Sequence, residues 1–198
     1  MDKSHIEQRR KAKYARQTNE IYREIGRFTV KFEHISFAMQ MGIQQILGRS
    51  GLANQQLAHI ILAEQTVYPL KSMLQAMIAE TGNLDKTDLI IADKIFKQLG
   101  VLIEKRNNII HSTWFVGWAS EEDTNFSEVD SRKLSRGKTG AGIKKFDYTA
   151  SDFTLLSDEC EVITKMINRL WAIVSFGSKV SDNFVIGPDS KVALPPDA

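Results

Sequence analysis

Cysteine, proline and long apolar runs are scarce in this chain of 198 residues, and each scarcity excludes something. The one cysteine, Cys160, has no second thiol to bridge with, so no internal disulfide forms and a reducing compartment is expected. That thiol and the four histidines (His5, His34, His59 and His111) lie far apart without zinc-ligand spacing, so neither a metal nor another cofactor is expected. No run approaches the ~18 apolar residues of a membrane span. The opening MDKSHIEQRRKAKYARQ lacks the apolar stretch of a secretory signal, so a cytoplasmic protein with no membrane partner is expected. A phosphate-cradling loop is missing too: Arg136-Gly137-Lys138-Thr139-Gly140 holds the letters of a P-loop in the wrong order.

The composition, 42% hydrophobic and 25% charged, is that of a globular protein able to bury a core without disulfides or a structural metal. The net charge is only +2, yet the charge is segregated. Residues 1–16 hold six basic side chains (Lys3, Arg9, Arg10, Lys11, Lys13 and Arg16) against Asp2 and Glu7. Residues 131–145 hold six more (Arg132, Lys133, Arg136, Lys138, Lys144 and Lys145) and no acid. Such clusters either follow a phosphate backbone or are a solvated tail and a solvated loop.

Apolar side chains recur at helical spacing in four long segments. The first runs from about Gln17 to Leu47 and the second from about Gln55 to Glu80, with a kink or break expected at Pro69. The third starts near Lys86, and the fourth starts at Ser151 or Asp152, both good caps, and runs to about Phe176. Between the third and fourth, 114–118 and 145–149 read as strands that pair over a loop of about 25 residues, long enough to be functional or disordered. The expected fold is all-α: a bundle of four long helices with a small β-hairpin inserted at 113–150. The domain would span 17–180, after a basic flexible segment (1–16) and before an irregular tail (181–198).

Projected at about 100° per residue, the third helix contains an anomaly. With Leu99 at zero, Ile103 and Ile110 fall within about 40°, and Arg106 falls near −20°, inside the apolar stripe. An arginine there must meet a carboxylate or face a cleft. Asn107 and His111, four apart, leave the margin of that stripe together, so a cation, an amide and an imidazole stand side by side. Glu64 is in phase with Leu57, Ile61 and Tyr68, which makes it the natural partner of Arg106. A Glu64–Arg106 pair would either pin two helices or support a site.

The run EKRNNIIHSTW, with Arg106-Asn107, three further residues and His111, resembles the ribonuclease signature of the HEPN superfamily (higher eukaryotes and prokaryotes nucleotide-binding). The resemblance covers residues 106–111 in motif and about 17–180 in architecture. It implies a metal-independent endoribonuclease acting as a homodimer, of the kind that serves as a toxin or an antiviral effector. In it His111 would take the ribose 2′-hydroxyl proton, Arg106 would stabilise the phosphate, and Asn107 would orient His111 or hold a phosphate oxygen. The products would be a 2′,3′-cyclic phosphate and a 5′-hydroxyl. RNA, a second copy and a cognate antitoxin or regulatory protein are the expected partners.

Weaker expectations accompany these. Glu33, at the edge of the first apolar stripe, either approaches the same cleft or is solvated. Arg132, Lys133, Arg136 and Lys138 are expected to hold RNA from a mobile loop, 120–144. Trp114 and Trp118 would share one strand face, stacking bases or forming a packed lid or dimer contact. Val101, Ile109, Ile110 and the two tryptophans could supply an isologous dimer patch. Two other readings remain: a non-catalytic HEPN module for nucleic-acid or nucleotide binding or dimerisation, and a plain helical scaffold.

Overall fold

The structure, a computed structural model, describes residues 3–118, 125–137 and 140–196. It is mostly helical. The first helix, α1 (Lys3–Arg49), is 47 residues long and takes in the basic segment that was expected to stand apart from the domain as a flexible one. That stretch has no glycine or proline and is rich in Arg, Lys, Gln and Ala, which favour helix. Glu7 also pairs with Lys11 one turn on, at 3.0 Å.

The expected second helix is two helices, α2 (Gln55–Leu62) and α3 (Val67–Thr81). Asn54 starts α2 by accepting the Gln56 N–H at 3.0 Å. The break falls before Pro69, at a turn where Glu64 adopts φ 59. Pro69 lies in the first turn of α3, where its missing N–H has no helical acceptor to lose. Helix α4 (Lys86–Ile110) starts as read, with the Asp85 carboxylate accepting the Thr87 and Asp88 N–H groups at 2.8 and 2.9 Å.

Three strands follow: β1 (Thr113–Phe115), β2 (Glu128–Gly137) and β3 (Gly140–Thr149), antiparallel in the order β1-β2-β3. The two stretches expected to pair therefore do not. Ten residues of the supposed loop, Glu128–Gly137, form the central strand, with Trp114 opposite Ser131 and Ser131 opposite Phe146. Its pattern was hidden because Val129 alone is a large apolar residue on the inward row, where Ser131 and Lys133 follow. Residues 119–124 and 138–139, within the segment expected to be mobile, lie outside the described residues.

Helix α5 (Ala150–Phe176) is capped at Thr149, two residues before Ser151, the earlier of the two expected caps. Thr149 donates its N–H (2.8 Å) and its hydroxyl (2.7 Å) to the Asp152 carboxylate, and accepts the Asp152 N–H at 3.3 Å, a reciprocal capping box. The tail is not wholly irregular: β4 (Val185–Ile186) pairs antiparallel with β5 (Val192–Ala193).

The chain divides into two compact units: Met1–Lys31 with Lys105–Asp158, and Phe32–Glu104 with Glu159–Ala198. In the first, Ile21, Phe28, Ile109, Val129 and Phe153 are buried; in the second, Phe32, Met39, Leu74, Phe96, Leu99 and Leu170. No helix among the described residues is long and apolar enough to cross a membrane.

Candidate functional site at the end of α4

Arg106 falls in the buried row of α4, between Leu102 and Ile103 one turn before it and Ile109 one turn after, all 1% exposed or less. The helix phase at its end differs by one residue from the projection: Ile109 turns inward and Ile110 is 36% exposed. Arg106 and Asn107 are half-buried, and Arg106 Nη1 donates to Asn107 Oδ1 at 3.4 Å. His111 follows the last helical residue and is exposed. Its backbone N–H donates to the Asn107 carbonyl at 3.3 Å, and its ring makes no hydrogen bond among the described residues. The amide expected to orient the imidazole is thus turned to Arg106, while the backbone of the same residue holds His111.

A helix end leaves its last carbonyls without helical partners. Here several groups satisfy them. Lys133 Nζ, from β2, donates to the Asn107 carbonyl and to Asn108 Oδ1, both at 3.1 Å. Trp114 Nε1 donates to the Ile109 carbonyl at 2.8 Å, and the Ser112 hydroxyl donates to the Asn108 carbonyl at 2.5 Å. The Trp114 ring packs on Phe153 and Tyr148, with centroids 5.5 and 5.8 Å away. Trp114 is therefore part of the support under the motif. Trp118 lies beyond the end of β1, is 78% exposed, and meets Phe115 edge-on, so the two tryptophans do not share a strand face. Burial of Tyr148, with the Asp152 carboxylate nearby, pushes its phenol above the ordinary 10.0 and keeps it neutral in this packing.

The remaining expected residues divide. Glu64 is exposed in the turn after α2, off any helical face, which removes the phase relation behind the proposed Glu64–Arg106 pair. Glu33 is exposed on α1. The guanidinium of Arg132 holds Asp130 Oδ2 at 3.2 Å and lies 5.1 Å from the Phe115 ring centroid. Arg136 is exposed, and Lys138 lies outside the described residues. Among the described residues, no group of three His, Cys, Asp or Glu side chains is placed to hold a metal.

Two features escaped the sequence reading. Asn108, next to the motif, receives Lys133, and nothing in its spacing marked it. Glu24 was legible in the way Arg106 was, since it lies three residues after Ile21 and four before Phe28. It is 6% exposed and accepts from Arg23 Nε at 2.8 Å and from the Thr154 hydroxyl at 3.1 Å. Arg27 lies 3.7 Å from it and 3.5 Å from Asp158, tying α1 to α5 within the first unit. The hydrogen bond from Arg23 holds the Glu24 carboxyl below its ordinary 4.5, against the opposing effect of burial. No family model matches the chain, and neither a curated protein nor a solved structure matches it.

Proposed function

We propose that the chain is a metal-independent endoribonuclease of the HEPN type, with Arg106, Asn107 and His111 as its reacting group. The observation that carries this reading is the exposed His111 ring, uncommitted among the described residues, one turn from a half-buried Arg106–Asn107 pair on a helix end braced by Lys133 and Trp114. A neutral imidazole takes the proton from a ribose 2′-hydroxyl. The 2′-oxygen attacks the adjacent phosphorus, the bond to the 5′-oxygen breaks, and that oxygen takes a proton from water, to which the imidazolium of His111 returns its own. The products are a 2′,3′-cyclic phosphate and a 5′-hydroxyl. Arg106, a permanent cation with a planar fork, stabilises the charge on the phosphoryl oxygens, and Asn107 holds that fork.

One Arg-His pair is sparse for such a reaction, so the reading includes a two-fold homodimer that brings two pairs to one cleft. A biological role as a toxin or antiviral effector, held in check by a regulatory protein, belongs to the same proposal. The test is cleavage of a labelled RNA in excess chelator. Wild type should cut, and His111→Ala should be slower by roughly 10²-fold or more, with its fold and RNA binding retained. Arg106→Ala should also lose cleavage. If His111→Ala cuts as fast as wild type, the chain is instead a non-catalytic binding or dimerisation module.

A further inference from the structure

The β2–β3 ribbon has two unlike faces. Side chains alternate along a strand, so Val129, Ser131 and Lys133 with Tyr148 and Phe146 form one face, and Lys133 there reaches the end of α4. The other face carries cross-strand rows in a fixed order: Asp130 opposite Asp147, Arg132 opposite Lys145, Leu134 opposite Ile143, and Arg136 opposite Ala141. Strand β1 pairs only with Asp130, Ser131 and Arg132, so among the described residues no strand pairs with either edge of the outer half of the ribbon. On it Leu134 is 84% exposed and Ile143 61% exposed, directly across from each other and flanked by cations.

Lysines and arginines on an open edge are ordinary protection against strand pairing. An uncovered Leu–Ile pair between them serves no such purpose. A second copy docking through the Leu134–Ile143 row would set the flanking cations Arg132, Lys145 and Arg136 of the two copies against one another. A polyanion with apolar surfaces between its charges answers both features.

We propose that the outward face of the outer β2–β3 ribbon binds nucleic acid, with Arg132, Arg136 and Lys145 on the phosphates and Leu134 with Ile143 against base or sugar faces. The residues differ from those that charge alone suggested: Lys133 leaves the set, Lys138 lies outside the described residues, and Leu134, Ile143 and Lys145 enter it. The acidic row of Asp130 and Asp147 bounds the surface at its inner end. The proposal extends the ribonuclease reading but does not need cleavage to be true.

The test is fluorescence anisotropy with labelled single-stranded and duplex RNA and DNA of one sequence, across a salt series, in the His111→Ala background so that the probe survives. The triple change Arg132→Gln, Arg136→Gln and Lys145→Gln should weaken binding by roughly tenfold or more and reduce the salt slope by about 2. Leu134→Ser with Ile143→Ser should weaken binding with the slope unchanged. Circular dichroism and melting temperature establish that each variant folds, and Lys165→Gln, at an exposed lysine of α5, should leave the slope as it was. Binding to RNA alone or to both polymers equally supports the surface and ranks its ligands. Undiminished binding by the folded triple variant overturns it, as does binding only to anionic phosphatidylserine vesicles. Chelator-resistant cleavage by the chain with an intact His111 is a separate readout, so binding without cleavage leaves this surface standing and removes the nuclease.

Discussion

Lys133 belongs to the basic run that charge segregation suggests for RNA, yet its ammonium is spent on the end of α4, on the Asn107 carbonyl and Asn108 Oδ1. A cation at a helix C-terminus is favourable both as a donor and against the helix dipole. Lys133→Met keeps most of the stem and removes both bonds, so it should lower stability by about 1–3 kcal/mol in urea denaturation. It should also reduce any RNA cleavage, since the carbonyl that Lys133 holds is the one that receives the His111 N–H. Unchanged stability would show that water replaces the ammonium without loss. Arg106 and His111 were legible because an arginine in an apolar row and an imidazole one turn from its asparagine are local patterns. Which lysine faces inward was not, because strand pairing decides it.

Elements were readable where their caps and periodicity agreed. Helix α4 begins at Lys86 as read, and α5 begins within two residues of the expected cap. The turn between α2 and α3 was misplaced because Leu57, Ile61, Glu64 and Tyr68 keep a helical phase across it. Periodicity alone does not register that a backbone has left the helix. Within the first unit, the Glu24 cluster joins α1 to α5 and makes a pH prediction. Its carboxyl is held below its ordinary 4.5, so the stabilisation is complete above about pH 4.5 and is lost as pH falls through the lower folded value. Thermal melts should show stability dropping below that pH. Glu24→Gln should flatten the drop and cost about 1–3 kcal/mol at pH 7, since the Arg23 bond to a charged acceptor goes. A variant with an unchanged acid limb would mean that other carboxylates set it.

For the whole molecule, the dimer is the most consequential expectation. Of the residues expected at its interface, Val101, Ile110 and Trp118 are exposed at 54%, 36% and 78%, whereas Ile109 is buried and Trp114 half-buried beneath the sheet. Light scattering at micromolar concentration should give about twice the 22.4 kDa chain mass, and Trp118→Ser should shift it toward one chain. A wild-type monomer would remove the composite cleft and leave a single Arg106–His111 pair to account for any cleavage.

The sequence by itself determined a helix-rich chain and set Arg106, Asn107 and His111 together around the last turn of one helix. Those outcomes depend on hydrogen bonds and side-chain spacing within a few residues, which the order of residues specifies directly. Tertiary structure decided that Glu128–Gly137 is a central strand, that Lys133 reaches α4 while Arg132 lies over Phe115, and that Leu134 meets Ile143 in the open. Each depends on partners distant in the chain, and a shift of register by one residue would exchange the two faces of the ribbon.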